Sequence, residues 1–466
     1  MTPSDASVPG LDRRGRLLVL AAAFLGWMFA GWEMSLLPLA ARSVTIGLLQ
    51  NDPEHADWVQ LARTTERVIP ANATSEDDTT KAAVVERLNA VVGKWFTRYI
   101  AAFLLGAALG GWVFGWLGDR SGRVMAMAVS IVWYSGFTGL SAFANSPLQV
   151  CILRFIACMG VGGMWPAGVA LVTEAWPDVS RPTLAGLIGM SANVGIALLG
   201  VVVKHLPAAS DQLQLTPDSW RWIMVAGLVP IVLGGWVWWF VPESPVWMAG
   251  HSAQKNATPV RDVLRPPLLT STIVGIMLGA IPLLGSWGSQ KWMQPWAGEV
   301  GARIGQETLK ADVQAIWAYG AAIGSLCGGW LATLVGRRTS YFLASLGSLL
   351  LAQYLFTQLQ PSDSWQFMFP VFALGIVGTI FYGWLPLYLP QMFPAQVRAT
   401  GSGVAFNSGR IVSAILVLAT SAMVVSDYAA MGSRISWVYA AGMIAAFLIP
   451  PQPETSASEE SGQPNS

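Results

Sequence analysis

One nine-residue string is written twice in this chain. Gly115-Trp116-Leu117-Gly118-Asp119-Arg120-Ser121-Gly122-Arg123 returns as Gly329-Trp330-Leu331-Ala332-Thr333-Leu334-Val335-Gly336-Arg337, an offset of 214 residues (115 to 329). Each copy falls where one long apolar run ends and the next begins. A second pair, Glu174-Ala175-Trp176-Pro177-Asp178-Val179-Ser180-Arg181 and Gln391-Met392-Phe393-Pro394-Ala395-Gln396-Val397-Arg398, lies 217 apart (174 to 391). Chance supplies one short match in a chain of this length, not two with nearly equal offsets. The two halves therefore read as copies of one multi-helix unit, which restricts the fold to a bundle with internal symmetry.

Composition says where that bundle sits. Charged residues make up 11% of the chain and hydrophobic ones 53%, against about 25% charged in soluble domains. Apolar runs of about 20 residues cross a hydrocarbon core, and twelve are found: roughly 17–42, 96–117, 124–144, 148–173, 182–204, 219–241, 268–288, 312–334, 340–359, 366–389, 400–425 and 434–450. The expected fold class is an all-α membrane protein, twelve transmembrane helices in two pseudo-symmetric six-helix bundles. The bundles are assigned to residues 1–250 and 266–450, with a polar cytosolic link at 251–265 and a disordered Ser-, Glu- and Pro-rich tail at 451–466. The first run is too long for a signal-peptide core and holds Glu33, so it counts as a membrane helix. Segment 43–94 is too polar for membrane and is expected to be an extracytoplasmic insertion; Ala82, Val85, Leu88 and Val92 have helical spacing and extend the second helix outward.

Basic residues set the orientation. Arg13, Arg14, Arg16, Arg120, Arg123, Arg181, Lys255, Arg261, Arg265, Arg337, Arg338 and Arg398 all fall on one side if both termini are cytoplasmic. The expected location is a plasma (inner) membrane. The net charge of +1 gives no reason for a nucleic-acid partner. Cys151, Cys158 and Cys327 lie in apolar runs without metal-like spacing, and the three His form no catalytic cluster. No enzyme activity, cofactor or metal is expected, and the chain is read as a monomer.

Gly115–Arg123 resembles the signature loop between the second and third helices of the major facilitator superfamily, and the Gly336-Arg337 copy its counterpart. Pro242-Glu243-Ser244-Pro245 resembles a motif of the sugar-porter and organic-acid:proton-symporter branches, with Val246 for their Arg. Glu174…Arg181 and Gln391…Arg398 are similar to their loops after the fourth and tenth helices. The resemblance implies secondary transport by alternating access, with gating through Gly115, Asp119, Arg120, Gly122, Arg123, Glu174, Arg181, Glu243, Gly336, Arg337 and Arg398. Glycines in the loop let helices approach closely, and Asp119 is placed to meet a helix N-terminus or a basic residue across the seam between bundles. In the second copy Thr333 and Leu334 replace the acid and first base, so its latch is weaker.

Charges inside the bilayer mark function, each costing about 2.5–3.5 kcal/mol unless compensated. Glu33 lies about 24 Å along the first run, and Arg154 enters the fourth to a comparable depth. Gly31-Trp32-Glu33 resembles the Gly-Tyr-Asp of sugar porters, whose acid carries the coupling proton. Arg154 with Gly160, Gly162 and Gly163 resembles their Arg-glycine motif, with Cys158 at a usual Gly. A carboxylate beside a guanidinium is pulled toward ionisation, and desolvation opposes this; a small movement then shifts its proton affinity. A permanent structural ion pair is the alternative. Arg410, near the midplane of the eleventh run, aligns with Asn193 through the repeat and has Asn407 one turn before it. It suits a carboxylate ligand, with Asn193 and Asn407 as substrate-binding residues that add hydrogen bonds around it; a buried acid is the alternative partner. Gln290 and Trp287 of the seventh run suit a planar or carbohydrate-like ligand, although Trp287 and Trp292 fit an interfacial belt equally well. The paired-glutamine motif of sugar porters is absent there, and the fifth run lacks the Gly-Pro kink of many drug:proton antiporters. The expectation is proton-coupled uptake of a small organic anion (a monocarboxylate, sugar acid or aromatic acid). A proton antiporter or facilitator for a neutral solute such as a sugar, and a transporter-derived sensor, stand as alternatives.

Overall fold

A computed structural model describes residues 11–50, 52–53, 55–57, 59–60, 76–176, 181–205, 219–250, 260–306, 308–394, 397–421 and 427–449. Among these residues there is no strand, and twelve helical spans are long and apolar enough to cross a membrane. They are α1 (Arg13–Leu49), α2 (Glu76–Ser121), α3 (Arg123–Leu140), α4 (Pro147–Ala175), α5 (Arg181–His205), α6 (Trp220–Phe240), α7 (Leu269–Ile304), α8 (Leu309–Leu334), α9 (Arg337–Gln358), α10 (Trp365–Gln391), α11 (Arg398–Ser421) and α12 (Tyr428–Leu448). The chain is an integral membrane protein of two pseudo-symmetric six-helix bundles.

The symmetry appears in the packing. In the first half α1 packs on α5, and α4 on both α2 and α3; in the second, α7 packs on α11, and α10 on both α8 and α9. Between halves α5 lies against α8 and α2 against α11, which are equivalent pairs under the duplication. Small residues make these contacts close. A side chain added at Gly162 of α4 would meet the Ala107 carbonyl of α2, and one at Gly324 of α8 the Ile376 carbonyl of α10. In lipid, where apolar burial gives little drive between helices, such backbone approach supplies the dispersion contacts that hold them.

Several helices overrun the apolar stretches that announced them. α1 reaches Leu49, α2 starts at Glu76 and α7 extends to Ile304 rather than stopping near 288. At 37 residues α1 is about 55 Å long, well beyond a hydrocarbon core of about 30 Å. The overhangs meet at the end of the molecule remote from the first and last helix termini. There Asn89 donates to Glu299 (3.3 Å), Lys204 pairs with Asp312 (2.7 Å), and Leu49, Val59 and Leu88 form a small apolar cluster. A plug of Phe96, Trp292 and Tyr428 lies beneath them, with ring centroids 4.9 and 5.6 Å apart, and the Tyr428 hydroxyl donates to the Asn89 carbonyl. The halves are thus joined at this remote end. The tail, most of the 251–265 link and residues 61–75 lie outside the described residues.

Candidate functional site

Glu33 and Arg154 meet inside the first bundle. Gly31, two residues before the acid, lets α1 lie so close to α5 that an added Cβ would fall 1.9 Å from the Ala192 carbonyl oxygen. Glu33 is thereby fully buried, and Arg154 reaches it from α4 at 4% exposure. Glu33 Oε1 accepts from Arg154 Nη1 at 2.6 Å and from the Thr138 hydroxyl at 2.8 Å. Arg154 also donates to the Glu33 and Met34 carbonyls and lies over the Phe103 ring. Glu33 Oε2 has no hydrogen-bond partner. One carboxylate oxygen is held by two donors and the other is open.

Arg410 and Asn193 form an unexpected matched pair. Arg410 Nη1 on α11 crosses to α2 and donates to the Ala107 carbonyl at 2.9 Å. Asn193 on α5 crosses to α8 and donates to the Ala321 carbonyl (3.3 Å) and Ser325 hydroxyl (3.0 Å). Ala107 and Ala321 differ by the same 214 residues as the duplicated string (107 to 321), so the two contacts are symmetry mates. This corrects the picture of Asn193 as an open ligand group, because its amide donors tie α5 to α8. Arg410 also takes Asn407 Oδ1 at 3.3 Å and lies over Phe406. Among the described residues no acid pairs with Arg410, and Glu33, the one obvious candidate, is engaged by Arg154.

The wall opposite comes from α7, whose helical ladder is disturbed at this level. Pro282 lacks an N–H and glycines at 285 and 288 weaken the helix, and the backbone passes through a π turn over Leu284–Ser289 and a 3-10 turn over Gln290–Trp292. Such local rewinding re-aims side chains and recurs at functional sites. Trp287 and Trp292 are 9% and 2% exposed, so the interfacial-belt reading fails for both. Trp287 packs on Phe103 of α2 with ring centroids 4.2 Å apart and planes tilted by 44°, across the seam. Gln290 is fully buried; its Nε2 donates to the Tyr439 hydroxyl and its Oε1 accepts from Trp317 Nε1, each at 2.8 Å. With both ends of the amide engaged, Gln290 orients Trp317 rather than standing free for a ligand.

The sequence reading passed over Lys291. Its side chain is 1% exposed, with Nζ 4.2 Å from the Trp317 ring centroid and 5.1 Å from that of Trp287. Nζ makes no hydrogen bond. The signal was available, since a lysine among apolar residues of a membrane helix marks a site by default. It was missed because the cluster of Ser286, Ser289 and Gln290 reads as a helix end.

At the end carrying the helix-2/helix-3 loop, the repeated glycines have a conformational cause. Gly122 and Gly336 adopt φ of +110° and +85°, a region that side chains disfavour. The Glu243 carboxylate fits over Gly122 and accepts from the backbone N–H groups of Arg123 and Val124, both at 3.0 Å, capping α3. Arg123 lies 3.8 Å from Glu174. Arg120 stacks on Trp116 and Arg337 on Tyr388. Gly115 corrects an expectation: an added Cβ there would meet nothing within 4 Å, so it provides no close helix contact in this conformation. The side chains of Asp119, Arg181 and Arg398 lie outside those described.

Residues 95–415 match the family profile of the Major Facilitator Superfamily. The cis,cis-muconate transport protein of Acinetobacter baylyi is 26% identical, over 67% of this chain and 74% of that one. The sialic acid transporter NanX of Escherichia coli is 23% identical, over 65% of this chain and 71% of its own length. Among solved structures, the partially occluded inward-open xylose transporter XylE from Escherichia coli superposes with a TM-score of 0.62 at 17% identity, covering 94% of this chain and 99% of that one. At that identity the likeness is one of fold.

Proposed function

Because this chain belongs to the Major Facilitator Superfamily, and so carries a small solute across a membrane rather than transforming it, we propose that it takes up an organic anion together with a proton. The carrying observation is the distribution of charge. Glu33 is closed on Arg154, while Arg410, also buried, has no acid partner among the described residues. Arg410 is the anion anchor; its guanidinium offers further donors beyond those on Ala107 and Asn407. Glu33 is the proton carrier, with Oε2 as the atom that takes the proton while Oε1 keeps both its donors. Arg154 sets the proton affinity through its 2.6 Å contact with Oε1. Two relatives named for muconate and sialic acid transport support an acid as cargo.

Residues 1–250 and 266–450 act as the moving bodies of a monomer, with both termini cytoplasmic in the inner membrane. The polar ties and the Phe96–Trp292–Tyr428 plug then close the outer side. The test is uptake into proteoliposomes under an imposed proton gradient, with matched carboxylic acids and carboxamides as competitors. Acids should compete and amides should not; equal competition rejects the anion reading.

A further inference from the structure

Four charged side chains are buried among the described residues: Glu33, Arg154, Lys291 and Arg410. The first two neutralise each other at 2.6 Å. The other two are both cations, and no acid among the described residues pairs with either. Among the described residues, then, two buried bases have no acidic partner.

Lys291 differs from the other buried bases in how it is held. Arg154 and Arg410 both donate to backbone carbonyls, which fixes each guanidinium in place. The Lys291 ammonium instead lies against the faces of Trp287 and Trp317 with all three N–H donors unfilled. Gln290, bonded to Trp317 and Tyr439, fixes one of those rings in place. The rings favour a cation at this point, and its donors remain open for a ligand.

The two cations share a wall on α2. Trp287, which carries Lys291, packs on Phe103, and Arg410 holds the carbonyl of Ala107, one helical turn further along the same face. The Phe96–Trp292–Tyr428 plug begins at the residue after Lys291.

We infer that the substrate is a small dicarboxylate, one carboxylate taken by Arg410 and the other by Lys291, lying beside the Trp287–Phe103 pair. This rests on the proposal that Arg410 anchors an anion and adds the second charge. Trp317, oriented by Gln290, is the positioning residue for the lysine.

The experiment measures binding to purified full-length protein by thermal shift and by competition in proteoliposomes. The probes are linear dicarboxylates of four to eight carbons, their half-amides, and the monocarboxylates and monoamides of equal length. In the wild type at least one diacid should bind tenfold or more tightly than its half-amide. In Lys291→Gln that ratio should collapse toward one while monoacids remain preferred over monoamides; Lys291→Arg should retain most of it. The inference is overturned if no diacid exceeds its half-amide in the wild type, or if Lys291→Gln leaves the ratio intact. Should Lys291→Gln not fold, the wild-type and Lys291→Arg ratios still decide. Monoacids that outcompete monoamides while diacids gain nothing sink the dicarboxylate alone; equal binding of monoacids and monoamides sinks the anion reading beneath it.

Discussion

Glu33→Gln separates coupling from binding. The amide oxygen can still accept from Arg154 and Thr138, whose bonds to Oε1 are 2.6 and 2.8 Å, so the shape of the pocket is preserved. The negative charge is lost, and Arg154 is left as a buried cation. Breaking a buried pair by removing one partner costs about 3–5 kcal/mol. Here the lower end applies, because Arg154 keeps its bonds to the Glu33 and Met34 carbonyls and its place over Phe103. Replacing both residues by Gln should recover part of this loss, since no charge then stays buried. The functional effect is sharper. With the membrane potential clamped at zero, one proton per substrate supports about tenfold accumulation per pH unit, or about 1.4 kcal/mol. Wild-type proteoliposomes should reach that ratio across one pH unit. The Gln variant should equilibrate and stop, while still exchanging internal for external substrate. Uphill accumulation by the variant equal to wild type refutes the coupling role of Glu33.

Arg410→Lys should weaken anion binding, because one point charge replaces a forked donor, and Arg410→Ala should lower affinity about tenfold to more than a hundredfold, the equivalent of about 1.5–3 kcal/mol for a bond to a charged group; competition binding reads both. Gly122→Ala should reduce thermal stability by more than about 1 kcal/mol, since it strains a backbone at φ +110° and displaces the Glu243 carboxylate. Gly115→Ala should leave melting unchanged or raise it slightly, because the methyl group has open space and alanine favours the helix. Glu243→Ala should lower the melting temperature by removing the acceptor for two N–H groups of α3, about 1–3 kcal/mol if they stay unsatisfied. Glu243→Gln should cost less, losing mainly the interaction of charge with the helix terminus.

Much of the fold was legible because lipid leaves few options: a chain with twelve apolar runs satisfies its backbone by helices, and the duplicated strings define the halves. The approach of Glu33 to Arg154 was legible for the same reason, since a charge in the bilayer needs a partner and only these two lie at one depth in the first half. Legibility failed where hydropathy and structure part. Ser286, Ser289, Gln290 and Lys291 look like the end of a helix, yet α7 continues to Ile304 because Trp287, Trp292 and Trp296 bury the segment from all sides. Gln290 looked like a ligand group, but a buried amide is first required to fill its own hydrogen bonds, and Tyr439 and Trp317 do so. Glu243 was assigned to gating without a partner; its contact with the start of α3 is 120 residues away in sequence and leaves no local trace.

The duplication also explains how an asymmetric task arises on a symmetric frame. Asn193 and Arg410 occupy equivalent positions and reach equivalent carbonyls across the seam. The neutral member fixes α5 to α8 and leaves no net charge behind. The charged member makes the same contact on α2 but brings a buried cation to the seam. A bond shared by both halves satisfies the geometry of the seam, and the charge present in one half alone creates a demand for an anion. On the proposed reading, the first bundle holds the balanced pair that exchanges a proton, and the second holds the bases that take the anion. Closing the cavity around an anion would neutralise charge that the empty protein must otherwise keep buried, which favours the closed state when loaded over the closed state when empty.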